Sequence, residues 1–381
     1  MLSPPLSLYI HLPWCVRKCP YCDFNSHPAL ETVDYPGYTD ALLDDLTGEL
    51  PLVAGRTVET IFFGGGTPSL FPPGEIGRLI KGIESRLPCS KDLEVTLEAN
   101  PGTADQDRFV GYREAGVNRL SIGVQSFNSQ SLKMLERIHG PRQALDAIGR
   151  ARAAGFENIN LDLMFGLPGQ GVEQALEDVC TALEHQPEHV SFYQLTVEPN
   201  TRFFSTPPTL PSDEAIWEMQ CAGQEMLAAG GVAQYEISAF SRPRFQCRHN
   251  LNYWTFGDYL GIGAGAHGKV THRRQSLMIE RRWKMRSPSR YVASRGTARM
   301  VAGTHVLSDH DTQLEFMMNA LRLRAGFTSS LFEERTGLSF SSLKERLQLA
   351  EERGFIKKDG DIIGCTELGR RYLNDLLALF V

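Results

Sequence analysis

Three cysteines are packed into the segment Cys15-Val16-Arg17-Lys18-Cys19-Pro20-Tyr21-Cys22. Thiolates at CxxxCxxC spacing reach the corners of one iron–sulfur cluster, and three of them leave one iron of a 4Fe-4S cube without a protein ligand. The other chemistry open to this spacing is a zinc site of Cys3His type, completed by His11 or His27. Zinc sites usually show paired CxxC clusters, and no second pair exists here.

The surrounding pattern shows what must position these thiols. Short β-branched or apolar runs at 7–12, 58–63, 93–98, 119–124, 159–164 and 190–197 alternate with helical stretches at 38–53, 75–87, 105–115, 129–154 (broken near Gly140-Pro141) and 172–185. Alternation of this kind builds βαβ units on a parallel sheet. Gly116 and Gly155 stop two of the helices just before a strand. Six units in about 200 residues suit an open, incomplete barrel better than a closed eightfold one. The expected fold class is α/β, a partial (β/α)6 TIM-like barrel.

In such barrels chemistry collects where strands end. The cysteine segment follows the first run and Gly64-Gly65-Gly66-Thr67-Pro68 the second. Glu98, Gln125 and Asp162 sit at or near the ends of the next three. All the Gly-rich and polar punctuation thus falls on one rim. Past a Pro-rich turn at 206–211, residues 213–229 read as a helix. Helices at 312–323 and 341–353, a hairpin over 355–363 turning at Asp359-Gly360 and a last helix at 367–380 make a smaller α+β, winged-helix-like module. The expected division is 1–240 for the barrel, 241–308 for a connecting segment that carries the ligand-type motif HNxxYW, and 309–381 for the module.

On its cysteine motif and rim, the chain resembles the radical S-adenosylmethionine superfamily. The resemblance implies that Cys15, Cys19 and Cys22 hold a 4Fe-4S cluster whose open iron takes the amino and carboxylate groups of S-adenosylmethionine. It places Tyr21 beside the adenine and brings Tyr9 close to the bound cofactor. Gly65, Gly66 and Thr67 lie at the methionine amino group, where only glycine permits close backbone approach. Glu98, Gln125, Arg137 and Asp162 match further cofactor-contact positions.

Longer stretches sharpen the likeness: YIHLPWC at 9–15, GGGTPS at 64–69, EANPG at 98–102, GVQSF at 123–127, RIHG at 137–140 and DLMFGLP at 162–168. These are similar to the oxygen-independent coproporphyrinogen dehydrogenase group, which also contains the HemW-type heme chaperones. The dehydrogenase motif continues to a further cysteine where this chain has Phe24, and a long extension precedes its cluster where only 14 residues precede Cys15. The segment His249-Asn250-Leu251-Asn252-Tyr253-Trp254 reads HNxxYW, which resembles the chaperones' heme signature. Imidazole is a standard axial ligand of heme iron, and Tyr253 and Trp254 offer flat apolar faces. Cys247 and His267 are competing ligands. The resemblance therefore implies a heme carrier, able in principle to cleave S-adenosylmethionine, that hands heme to an acceptor protein. The alternative is a radical oxidoreductase acting on a porphyrinogen. The same resemblance implies a flavodoxin- or ferredoxin-like reductant for the cluster and leaves room for a homodimer.

Composition bounds these readings. The 381 residues carry a net charge of −6, which argues against a nucleic-acid protein driven by bulk charge. The first residues have no basic n-region and no apolar run reaches the length of a membrane span, so a cytoplasmic protein is expected. Eight cysteines in such a chain are no disulfide framework. From Lys269 to Arg299 ten Lys and Arg (269, 273, 274, 281, 282, 284, 286, 290, 295 and 299) face one acid, Glu280. This reads as a solvated basic face or, more sharply, as a site for heme propionates or an anionic membrane surface.

Overall fold

A computed structural model describes residues 3–29, 33–103, 105–273 and 277–381. The six expected strands are present as β1 (Leu6–Leu12), β2 (Val58–Gly65), β3 (Cys89–Ala99), β4 (Arg119–Gln125), β5 (Ile159–Phe165) and β6 (His189–Gln194). They run parallel in chain order. The intervening helices are α1 (Tyr35–Glu49), α2 (Pro73–Glu84), α3 (Gln106–Glu114), α4 (Ser129–Met134), α5 (Pro141–Ala153) and α6 (Val172–Glu184). Strand periodicity explains the layering, since alternate side chains take opposite faces. On β1, Leu6, Leu8, Ile10 and Leu12 join the core beneath the helices. Ser7, Tyr9 and His11 take the opposite, inner face with their polar atoms engaged.

The barrel is open, as expected, but its sheet is wider than six strands. After β6 the chain forms α7 (Asp213–Ala229). The sheet then continues past β6 through β7 (Ala233–Glu236) and β8 (Ala239–Ser241) and past β1 through β9 (Asp258–Ile262), β10 (His267–Arg273), β11 (Leu277–Lys284) and β12 (Val301–Val306). The order is β12-β11-β10-β9-β1-β2-β3-β4-β5-β6-β8-β7, a twelve-stranded sheet. β9 pairs parallel with β1, Leu6 opposite Asp258, and so adds a seventh parallel strand. The sheet runs on past residue 240 without a break, and four of its twelve strands come from 241–308. The same stretch also carries α8 (Arg248–Trp254).

The smaller module has its own core, which Phe256 and Ile279 join from the barrel side. It starts with α9 (Asp309–Ala320) and contains the expected hairpin, Ile356–Asp359 against Ile362–Cys365. The last helix is broken into Glu367–Arg371 and Leu373–Leu377. Among the described residues no helix is long and apolar enough to cross a membrane.

Five cations of the basic segment are held by carboxylates of the fold. Lys269 bonds Asp258 at 2.9 Å, Lys284 bonds Asp45 at 2.5 Å and Glu49 at 2.7 Å, and both lysines are 1% exposed. Arg281 pairs with Glu315, Arg282 with Glu49, and Arg295 with Asp40 and Asp44. Arg286, Arg290 and Arg299 of the same segment are exposed. Arg274 lies outside the described residues.

Candidate functional site

A cleft of about 540 Å³ opens at the C-terminal ends of the strands. Cys15, Cys19, Cys22, Tyr21, Gly65, Gly66, Thr67, Glu98, Gln125, Arg137 and Asp162 all line it. The rim read from sequence is therefore one site.

The cysteine loop is fastened from three sides. Trp14–Cys15 pairs with His27–Pro28 in a short parallel bridge. The glycine turn holds the same segment, with Gly66 N–H donating to Leu12 O (2.8 Å) and Thr67 N–H to Trp14 O (2.7 Å). Asn25 donates to Ala264 O and Arg286 O, which ties the loop's end to the far strands. Gly66 has to be glycine: a Cβ there would stand 2.6 Å from Trp14 O. Gly65 adopts φ +116°, and its missing Cβ leaves room for the His11 ring. The His11 ring is engaged on both sides, by Tyr9 OH at 3.0 Å and Asn25 O at 2.8 Å, which removes it from the zinc alternative. Among the described residues no three His, Cys, Asp or Glu side chains converge on one point as a single metal ion requires. Burial pushes the Cys15 and Cys22 thiols up, and binding iron would displace their protons. Arg137 spans the gap to β4, with Nη1 3.7 Å from Cys19 Sγ and Nη2 donating to Gly123 O at 2.6 Å.

Below the thiols the inner wall is polar. Glu98 Oε2 accepts from Gly65 N–H at 3.2 Å. Burial pushes the Glu98 carboxyl up to about 8, and Asp162 pushes it the same way against the Gly65 amide. Burial also raises Asp162, although Asn160 (2.7 Å) and Ser121 (3.0 Å) donate to it. Tyr193 OH donates to Gln125 Oε1 at 2.6 Å, and Gln125 sits at φ +69°, a strained conformation for a side chain of its size. Burial raises both neighbouring acids, and a cationic ligand such as a sulfonium or ammonium group would favour their ionised forms.

The Glu98 carboxyl has a folded pKa above its unfolded one, so it costs stability that grows as pH rises from about 4.5 to about 8. In the cofactor-free protein, Glu98→Gln should therefore raise the melting temperature at pH 8 and leave it unchanged near pH 4.5, while weakening S-adenosylmethionine binding. Because the carboxyl opens onto the cleft, water there trims the gain to a few degrees, about 1–2 kcal/mol. Melting curves at the two pH values check this.

Four expected residues stand off the cleft. Tyr9 lies behind Gly64, with its ring stacked on Phe62. His249, Tyr253 and Trp254 lie on α8, which closes the barrel at the N-terminal ends of its strands. Glu94 draws this helix in: its carboxylate accepts from Arg248 N–H (3.1 Å) and His249 N–H (3.0 Å), with Cys247 Sγ at 3.8 Å. Arg119, 2% exposed, supplies the balancing charge beside Glu94.

His249 is 1% exposed. Thr60 Oγ1 gives its proton to Ser7, so His249 Nδ1 donates to Thr60 (2.7 Å) and Nε2 accepts from Tyr253 OH (3.0 Å). Burial, then the Arg119 charge, lowers the imidazole to about 3, so it is neutral. The expectation that His249 faces a heme is thus corrected for this conformation: both nitrogens are taken. The Trp254 face is covered by the Arg322 guanidinium, 4.3 Å from the ring centroid. Cys247 is 1% exposed with its thiol pushed up to about 12 by burial. His267 alone of the three candidate ligands is exposed. Asn250, Glu236 and Arg322 line the cleft and were not read from sequence. Asn250 lay within the HNxxYW segment; Glu236 and Arg322 carried no local signal.

Residues 9–179 match the Radical SAM superfamily and residues 307–372 the HemN C-terminal domain. The chain is 48% identical over 380 residues to a protein of Escherichia coli (strain K12) named heme chaperone HemW, covering 99% of this chain and 98% of that one. It is 34% identical to the heme chaperone HemW of Bacillus subtilis (strain 168), covering 98% and 99%. The structure of the Escherichia coli coproporphyrinogen III oxidase HemN, a radical SAM enzyme, superposes with a TM-score of 0.83 at 24% identity, over 99% of this chain and 90% of that one. That likeness establishes the fold. With full-length identity of this order to its relatives, the chain belongs to the heme chaperone HemW family within the radical SAM superfamily.

Proposed function

We propose that this protein binds heme and passes it to an acceptor protein, with a 4Fe-4S cluster on Cys15, Cys19 and Cys22 and S-adenosylmethionine in the same cleft. The observation that carries the reading is 48% identity along the whole chain to a heme chaperone, against 24% to the HemN oxidase structure. Phe24 adds to it: the side chain standing where the dehydrogenase pattern has a further cysteine is 59% exposed and apolar. When bound, the cluster and its ligand supply one-electron chemistry at a sulfonium. This chain's own residues bind and orient. The glycine turn commits the N–H groups of Gly66 and Thr67 to the cysteine loop, which leaves its carbonyl side for an amino group. Glu98 and Asp162 face the cationic part of the cofactor, and Tyr21 packs at the adenine. The reductant is a flavodoxin- or ferredoxin-like protein. Pairing within the basic strands leaves, among the described residues, Arg286, Arg290 and Arg299 as the exposed cations of that segment.

His249 remains the proposed iron ligand, reached when α8 leaves its seat on Glu94. Hemin titrated into the anaerobically reconstituted protein should shift its Soret band saturably at one equivalent. His249→Ala should weaken this by about tenfold or more, on the scale of losing one strong polar contact, and His267→Ala should not. Saturation equal in the His249 variant and lost in the His267 variant would transfer the ligand to the exposed imidazole. A second reading, radical oxidation of a porphyrinogen, draws support from the intact acid pair, Glu98 and Asp162.

A further inference from the structure

The smaller module reaches into the cofactor cleft through one side chain. Arg322 lies just past α9, in the turn that docks on β7. An antiparallel bridge joins Leu323 to Glu236, and Arg324 N–H donates to Tyr235 O at 3.0 Å. From this seat the Arg322 guanidinium lies over the Trp254 ring and bonds Glu236 through Nη2 at 2.9 Å. Its side chain is 27% exposed, and among the described residues its buried Nε has no acceptor. Arg322, Glu236 and Asn250 line the same cleft as the three cysteines. A guanidinium held over an aromatic, with donors to spare and facing a cleft, is built for a carboxylate.

We infer that Arg322 anchors a propionate of the porphyrin cargo in the cofactor cleft, with Glu236 holding its place until the cargo arrives. The inference rests on the heme-carrier reading but not on His249 as the iron ligand. The carboxylate is not that of S-adenosylmethionine. That group belongs at the cysteine loop, which follows β1, whereas Glu236 lies on β7, the edge strand beyond β6 and β8. Trp254 and Asn250 then act together: one braces the anchor from below and the other borders the same wall. This gives the HNxxYW helix a role in the resting protein that its buried histidine does not.

The test separates an anchor from a structural ion pair by the sign of two variants. Hemin and hemin dimethyl ester, which lacks free propionates, are titrated into the reconstituted full chain with S-adenosylmethionine present. The wild type should prefer hemin over the ester. Glu236→Gln removes the competing carboxylate and should tighten hemin by about threefold or more, while leaving the preference intact. The double variant R322Q/E236Q keeps the site neutral, which avoids a buried unpaired acid, and should bind hemin about tenfold more weakly than Glu236→Gln, with the preference gone. Equal affinities in the two variants, or a preference retained without Arg322, would overturn the inference. So would a double variant that changes S-adenosylmethionine affinity and leaves hemin untouched. No saturable hemin binding by the wild type would instead sink the carrier reading, and the anchor with it.

Discussion

Replacing Cys15, Cys19 or Cys22 with alanine removes the cluster and, with it, high-affinity S-adenosylmethionine binding. On the proposed reading each thiol is one corner of a three-corner site, and among the described residues no other cysteine lines the cleft. The other cysteines are Cys89, Cys180, Cys221, Cys247 and Cys365, of which none lines the cleft. His11 is held by Tyr9 and Asn25. The amino and carboxylate groups of the cofactor need the open iron, so losing the cluster leaves only the wall contacts from Glu98, Asp162 and the glycine turn. Iron per chain and the broad visible absorbance should fall to background in each variant. Affinity for S-adenosylmethionine should fall by about a hundredfold or more, the range expected when a charge-assisted bidentate contact is lost. Bound-state stabilisation disappears too, since a ligand that binds only the folded chain adds to its stability. Cys180→Ala, on an exposed helix position, should leave iron content and affinity unchanged.

Glu94→Ala unseats α8. The carboxylate is 7% exposed and carries the first two amides of the helix, and it is the acid beside the buried Arg119. Its removal strands two N–H donors and takes one negative charge from the surroundings of buried Arg119, a loss of about 2–5 kcal/mol. Thermal unfolding should show a drop of about ten degrees or more, reading roughly 2–4 °C per kcal/mol for a chain of this size. The functional effect runs the other way. With α8 loosened, Thr60 on β2 loses its hold on His249, and hemin association should become faster than in the wild type. Stopped-flow Soret traces on Glu94→Gln, which keeps the shape and most of the packing, give the same sign with a smaller loss of stability. An unchanged association rate in both variants would show that α8 is not the gate.

Much of this site was legible because its cues are local. The cysteine spacing, the glycine turn and the strand-end acids each sit within a few residues, and regular βαβ alternation put them on one rim. What escaped depends on pairing across the chain. The strand Asp258–Ile262 is five residues with a glycine in it, and it becomes a strand by lying beside Leu6–Ile10, some 250 residues earlier. In the strands His267–Arg273 and Leu277–Lys284 the charges read as a basic surface, because Asp45, Glu49 and Asp258, which neutralise them, lie elsewhere in the sequence. The HNxxYW segment stands out in the sequence but its direction does not. A seven-residue helix gives no sign of which face is buried, and here His249 turns into the barrel while Asn250 meets the cleft. One further signal lies in the sequence: Glu94 and Arg119 are charged residues in runs otherwise apolar enough to be buried, and a buried charge asks for a partner.

The most direct test puts the carrier and the enzyme side by side. The reconstituted protein, with S-adenosylmethionine and a reductant, is divided into two anaerobic samples. One is titrated with hemin and then mixed with a heme-free acceptor protein; the other receives coproporphyrinogen and is followed for carbon dioxide release. The account predicts a saturable Soret shift that moves to the acceptor, and no carbon dioxide above the level without protein. Carbon dioxide release in the second sample with no specific hemin binding in the first would contradict it and make the chain an oxidoreductase.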